Sequence, residues 1–333
     1  MNTANGAYPW KQLLWLFIGY AIAIFLLGAL SQVTWRMVFF YFAYGILIPT
    51  LLVVGAWAGL GPGSLLKRTV ISTSAGVLLI VAGMSGMEVV RPGTLGPYDY
   101  SLFSALGFVV SLSIPICIAA HVPYWLFRAL LGWQLIHVSN EWDDRKTTIR
   151  DMFVFTAIIA VSIAAPRYAA DMVYRAQIDS LQVGQMEFVE SEETDVDGTP
   201  IFVEVEVTEE NIYEFKEKRQ RDGKSIGAGM ALAILVYFLV FSLIASVFTP
   251  VIWFSLRKGS SEFSLWACAM ILFLLVITIG SAVPFIAFSG RVNWVQHLPY
   301  LFGYAIAFSI ASVLPLLISH RAGIRLVTRK SSG

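Results

Sequence analysis

The chain has 333 residues, of which 57% are hydrophobic and 14% charged, and its mean hydropathy is +0.71. Soluble domains carry about half apolar and about a quarter charged residues, so this composition excludes a soluble globular protein and points to an integral membrane protein. The net charge of +1 conceals a separation: the interval 167–225 holds fifteen acids against seven bases, net minus eight, and the remainder is plus nine.

A helix needs roughly 20 apolar residues to cross the hydrocarbon core, where only helices and closed barrels satisfy their backbone groups. Eight apolar runs follow in chain order: residues 13–30, 37–60, 70–90, 101–120, 152–165, 228–248, 265–288 and 298–318. The fifth is short and lengthens past Pro166 into residues 168–181. The first is preceded only by Lys11 and lacks a small-residue cleavage site, which marks a retained span. The predicted fold class is all-α integral membrane: a bundle of eight transmembrane helices with a small α+β extracytoplasmic insertion between helices five and six. Its parts are a five-helix half over 1–166, an acidic insertion over 167–225, a three-helix half over 226–320 and a basic tail over 321–333. Cys117 and Cys268 lie inside apolar runs without partners at metal-site or redox spacing and are expected to pack as small hydrophobes.

Lysine and arginine in short loops set the orientation, because the positive-inside bias is counted there and long translocated segments are exempt. With eight spans, thirteen bases fall on one face: Lys11, Lys67, Arg68, Arg128, Arg145, Lys146, Arg150, Arg257, Lys258, Arg321, Arg325, Arg329 and Lys330. The short loops of the opposite face hold Arg36, Arg91 and Arg291. Both termini are thus expected in the cytoplasm, with the acidic interval outside. Trp10, Trp35, Trp57, Trp133, Trp253 and Trp294 fall at run ends, where an indole suits the headgroup layer. Residues 122–137 are apolar around Arg128, and a ninth span there would bury that guanidinium near the bilayer centre at a cost of about 2.5 kcal/mol or more. An interfacial helix over 122–137 on the cytoplasmic surface avoids the cost.

The passage Arg128-Ala-Leu-Leu-Gly-Trp-Gln-Leu, then Lys146-Thr-Thr-Ile-Arg-Asp-Met-Phe-Val-Phe-Thr-Ala-Ile-Ile-Ala-Val, closing at Arg167, resembles a recurring segment of planctomycete membrane proteins. In those, a Gly-Trp-Arg-Leu element precedes Phe-Ser-Leu-Arg-Asp-Leu-Leu and a span that ends in arginine. The resemblance covers about 40 of the 333 residues and departs at Thr147, Thr148 and Gln134. It implies a bacterial envelope setting and no particular activity. The residues also make sense unaided, since Thr147 or Thr148 can cap a helix and Asp151 suits its positive N-terminal end.

In the acidic interval, residues 168–182 are predicted to continue the fifth span as a helix. Strands are predicted at 185–190 and 201–207; in the second, Ile201, Val203, Val205 and Val207 alternate with Glu204 and Glu206. A second helix is predicted at 209–221, with Gly223 ending it before the membrane. Glu193, Asp195, Asp197, Gly198 and Glu204 match positions one, three, five, six and twelve of a calcium loop. Strand-like flanks and Pro200 favour a hairpin turn at Asp197-Gly198, with weak divalent-cation contact by Glu193, Asp195, Asp197 and Glu204 as the alternative.

Gly83-Met84-Ser85-Gly86 has the G-x-S-G pattern of rhomboid intramembrane proteases, a resemblance that implies a serine nucleophile activated by a histidine on another span. His297 is the candidate base on the same side as Ser85, whereas His121 belongs to the opposite end of its span. The plainer reading is that Gly76, Gly83, Ser85 and Gly86 let neighbouring helices approach. Pro49, Pro115, Pro284 and Pro315 lie within spans, but no ionisable residue lies deep in any run, as coupled transport would ordinarily require. No phosphate-binding glycine loop, zinc signature or nucleic-acid module occurs, so neither cofactor nor nucleic acid is expected. The expected partners are the lipid bilayer and, through residues 167–225, a protein or cell-surface component. A permease for an apolar or neutral solute is the alternative.

Overall fold

The computed structural model describes residues 10–34, 37–90, 102–138, 149, 151–164, 183–184, 186–194, 200–257, 260–287 and 294–328. In chain order the elements are α1 (Trp10–Thr34), α2 (Met37–Leu60), α3 (Leu65–Val90), α4 (Leu102–Leu131), β1 (Gln134–His137), α5 (Asp151–Ala164), β2 (Met186–Thr194), β3 (Pro200–Glu206), α6 (Ile212–Leu256), α7 (Glu262–Ala287), α8 (Trp294–Arg321) and β4 (Ile324–Val327). Among the described residues, six helical segments are long and apolar enough to cross a membrane: Lys11–Val33, Met37–Leu60, Leu65–Met87, Ser113–Leu131, Ile234–Leu256 and Pro299–Arg321. The other two expected spans correspond to α5, described over Asp151–Ala164, and to α7, a helix of 26 residues. The chain is a multi-pass membrane protein. It divides into two compact units, Met1–Ser162 with Val236–Gly333, and Ile163–Leu235.

In the first unit α2 is the central helix, packed against α1, α3, α4 and α8. Lipid tails are as apolar as leucine, so helices in a membrane associate by close fit, not by escape from water. The sequence of α2 supplies that fit with small residues. A Cβ added at Gly45 would lie 2.8 Å from the Tyr304 carbonyl oxygen of α8, and one at Gly55 would lie 2.7 Å from the Ala120 carbonyl oxygen of α4. Larger side chains fill the remaining space: Leu52, Leu60, Tyr124, Phe248, Ile252, Leu256, Leu265, Phe308 and Leu316 form one buried cluster across α2, α4, α6, α7 and α8.

α1 and α3 run in the same direction and meet through glycines. A Cβ at Gly28 would stand 2.6 Å from the Gly83 carbonyl oxygen, and one at Gly86 would collide with the Phe25 carbonyl oxygen. Two buried clusters flank α4: Trp125 stacks on Phe155 of α5 at 4.1 Å between ring centroids, and Phe238 of α6 packs on Ile118 and Ala119.

Residues 122–137 do not form a separate interfacial helix. α4 continues through Pro123 to Leu131, Gly132 adopts a positive φ of 66°, and Gln134–His137 is a strand. α4 thus covers the expected run 101–120 from Leu102 onward and extends it to Leu131. The extension places Arg128 in the last turn, where it reaches polar backbone at the end of the helix. Beyond the turn, Trp133 stacks on Phe127 at 5.2 Å.

The second unit contains the hairpin β2–β3. The strands pair antiparallel, with Val189 opposite Val203, Glu187 opposite Val205 and Phe188 opposite Glu204, and the register shifts between Glu190 and Thr194. The turn residues 195–199 and the expected helix over 168–182 lie outside the described residues. Asn211 fixes the exit: its Oδ1 accepts from the Thr208 amide at 2.7 Å and its Nδ2 donates to the Glu206 carbonyl at 2.9 Å. Contrary to the expected stop at Gly223, α6 is one helix of 45 residues. A glycine in a helix costs only about 1 kcal/mol relative to alanine, too little by itself to end a helix that continues past it to Leu256.

Candidate functional site

The connections between α2 and α3, after α4, between α6 and α7, and after α8 gather at one end of the first unit. There β1 pairs antiparallel with β4, from Gln134 opposite Val327 to His137 opposite Ile324, and Arg257 bridges to Leu326. The Val138 amide donates to the Gly323 carbonyl at 2.9 Å, and the His320 Nε2 bonds the Ser260 carbonyl at 2.9 Å. Four helices, α2, α4, α6 and α8, terminate here. Their last carbonyls lack intrahelical partners and carry the negative end of each helix dipole.

Arginines meet that requirement. Arg68, buried at 4% exposure, donates to the Gly61 carbonyl and from Nε to the Ser64 carbonyl at 3.4 Å. Arg128 reaches the same turn from α4, donating to Gly61 at 2.7 Å and Leu60 at 3.3 Å. Arg325 donates to the His320 carbonyl at 2.7 Å, and Arg257 lies over the Trp253 ring at 5.0 Å. Arg321 grips Glu262 of α7 through two bonds of 2.9 and 3.0 Å. Those hydrogen bonds hold the Glu262 carboxyl below its ordinary pKa.

Next to this basic cap lies a cavity of about 570 Å³, within the range of roughly 300 to 1,000 Å³ usual for small-molecule sites. Its two walls are the N-terminal halves of α1, with Leu14, Phe17 and Tyr20, and α3, with Val70, Ile71 and Leu78. Thr50, Ile252 and Leu316 form its back, and Leu135 and Ile324 of the small sheet border it. α1 and α3 touch at Gly28, Gly83 and Gly86, so the cavity fills the space between them nearer their N-termini. Three of its hydroxyls already serve backbone carbonyls: Tyr20 donates to Ala311 at 3.4 Å, Thr50 to Ile46 at 2.7 Å and Ser72 to Arg68 at 2.7 Å. The wall therefore offers an occupant chiefly apolar contact.

Ser85 lies half-buried in the last turns of α3, between the glycines that seat this helix on α1. His297 belongs to the first turns of α8, and its side chain lies outside the described residues. Within the fold α3 packs against α1, α2 and α4, while α8 packs chiefly against α2 and α7. Glu193 falls on β2 and Glu204 on β3, opposite Phe188. Asp195 and Asp197 lie outside the described residues, among which no group of three metal-ligating side chains occurs. Cys117 and Cys268 are free and buried. His121, assigned from sequence to a span end, is buried within α4 at 3% exposure.

The cavity was not legible in the sequence, because its walls come from α1 and α3 and its back from α2, α6 and α8. Its nearest sequence signal is the stripe Lys67, Val70, Ile71, Ser74 and Leu78, one face of a helix at three- and four-residue spacing. Comparison with protein-family models, curated proteins and solved structures finds no match.

Proposed function

We propose that this is a non-enzymatic protein of the bacterial cytoplasmic membrane, with eight transmembrane helices, that presents residues 167–225 outside the cell membrane for contact with a protein or cell-surface component. The observation that carries the reading is the division of the chain: a separate compact unit, Ile163–Leu235, contains the hairpin β2–β3. The interval 167–225 also concentrates fifteen of the 22 acids. The planctomycete-like segment around Arg128 to Arg167 supports the bacterial setting. Deleting residues 185–207 is expected to leave the bundle inserted and to remove the co-purifying partner; an unchanged set of co-purifying proteins overturns the proposal.

The cavity bears on the permease alternative. Its lining residues come from the half of the bundle next to the basic cap, an arrangement better suited to holding an apolar molecule than to passing one across. The glycines beside Ser85 favour a packing role over a nucleophilic one. Labelling by a serine-reactive probe that Ser85→Ala abolishes would instead establish an enzyme.

A further inference from the structure

We infer that the cavity between α1 and α3 is a binding site for one acyl chain of an anionic phospholipid, whose phosphate is held by Lys11 and Lys67. The inference is independent of the role proposed for the hairpin unit.

The walls explain the chain. An apolar cavity stays free of water unless polar groups call for it, and here Tyr20, Thr50 and Ser72 already donate to backbone carbonyls. The cavity's α1 and α3 walls include residues that face outward: Leu14 is 58% exposed, Val70 55% and Leu78 60%. On a helix that crosses a bilayer, outward-facing apolar side chains meet lipid, so hydrocarbon is the medium that reaches this space.

The lysines explain the charge. Lys11 precedes Leu14 by three residues, and Lys67 precedes Val70 and Ile71 by three and four. Residues at these spacings share a helix face, so each lysine extends the cavity-lining stripe of its own helix by one turn toward the polar end. Both are exposed. They also stand at one level. Counting back from the Gly28 to Gly83 contact, Lys11 is seventeen residues away and Lys67 sixteen, about 25 Å along each helix at 1.5 Å per residue. Two ammonium groups at equal height, one on each side of the cavity's walls, match a phosphate whose chain descends between them. A neutral apolar solute would use the cavity without engaging the pair of lysines.

The test uses the purified full chain in a neutral detergent, with retained lipid counted by native mass spectrometry. Phosphatidylglycerol and phosphatidylcholine with identical acyl chains are supplied separately. One phosphatidylglycerol per chain is expected, preferred roughly thirtyfold, as two lysines near a membrane surface would supply at about 1 kcal/mol each. Lys11→Gln with Lys67→Gln is expected to bring that preference to about one. Ala75→Phe, which places a ring in the cavity, is expected to lower retention of both lipids. Phosphatidylglycerol bearing a diazirine in mid-chain provides a readout on the unaltered protein, with crosslinks expected in α1 and α3 over residues 13–20 and 70–78. Equal retention of the two lipids, a preference that survives loss of both lysines, or crosslinks scattered over α5 and α7 overturns the inference. So does a stable dimer crosslinked chain to chain through the same residues.

Discussion

The last carbonyls of α2 have no N–H partners within their own helix, and Arg68 and Arg128 approach them from α3 and α4. A guanidinium can donate from several nitrogens while its stem stays among apolar side chains, so it suits the boundary between bilayer and water better than a compact ammonium. Arg68→Met should therefore destabilise the protein by about 2 kcal/mol, the worth of a charged hydrogen bond, and Arg128→Met by less, since Arg128 is only partly buried. Arg68→Lys should recover part of the loss. Thermal unfolding in a fixed detergent measures the order, and equal effects at both positions would show that the deeper burial of Arg68 adds nothing to its bond to Gly61. Glu262 makes a different kind of contact, an exposed one, with a small effect whose pH dependence is its signature. Arg321 lowers the folded carboxyl below its ordinary value of 4.5, so the pair contributes fully above that pH and is lost as pH falls through the lowered folded value. The difference in melting temperature between the native chain and Glu262→Gln should be constant near neutrality and vanish in acid. From sequence these bases register only as charges of one sign on one side. That two of them share a single turn of α2 depends on which helices are neighbours, which one chain's residue pattern does not contain.

Helix contacts in this bundle depend on glycines that admit a neighbouring backbone, and their substitution should separate elements and not merely lower a melting point. Gly55→Val would place branched atoms against the Ala120 carbonyl, with an expected penalty of roughly 1 to 3 kcal/mol from overpacking. Gly19→Val is the matched control, because nothing lies within 4 Å of a Cβ there. Comparable losses at the two positions, measured by thermal unfolding, would contradict the close approach of α2 and α4. Apolar periodicity located most of these helices to within a few residues, and the alternation of Ile201, Val203 and Val205 located β3. It failed where local and tertiary preferences diverge. Residues 134–137 read in sequence as the end of an interfacial helix, yet they pair with Ile324–Val327, nearly two hundred residues away. Gly223 reads locally as a stop, yet α6 runs through it and through Gly227 and Gly229, because the cost of these residues is outweighed by the cooperative turns on either side. The glycines of G-x-S-G were visible, whereas their contact partners, Ile24, Phe25 and Ala29 of α1, were not.

At the scale of the whole molecule, threading follows from charge, and the structure gives that charge a place. Lys67, Arg68, Arg128, Arg257, Arg321 and Arg325 come from connections scattered over 260 residues of sequence, yet they converge on the single end built by β1, β4 and the ends of α2, α4, α6 and α8. A cap so rich in bases resists translocation, so the positive-inside bias predicts that it faces the cytoplasm. Three helices, α3, α4 and α5, separate the α2–α3 turn from the acidic interval, so the two face opposite sides only if α5 crosses as the others do. Single cysteines decide the matter cleanly, since Cys117 and Cys268 are both buried and should give little background. Ser64→Cys sits in the exposed turn between α2 and α3, and Gly198→Cys in the acidic interval. A membrane-impermeant maleimide applied to intact cells should label the cysteine at 198 and reach the one at 64 only after permeabilisation. The reverse pattern would invert the protein. Labelling of both positions from one side would mean that an even number of spans separates them, and that α5 lies along the membrane without crossing it.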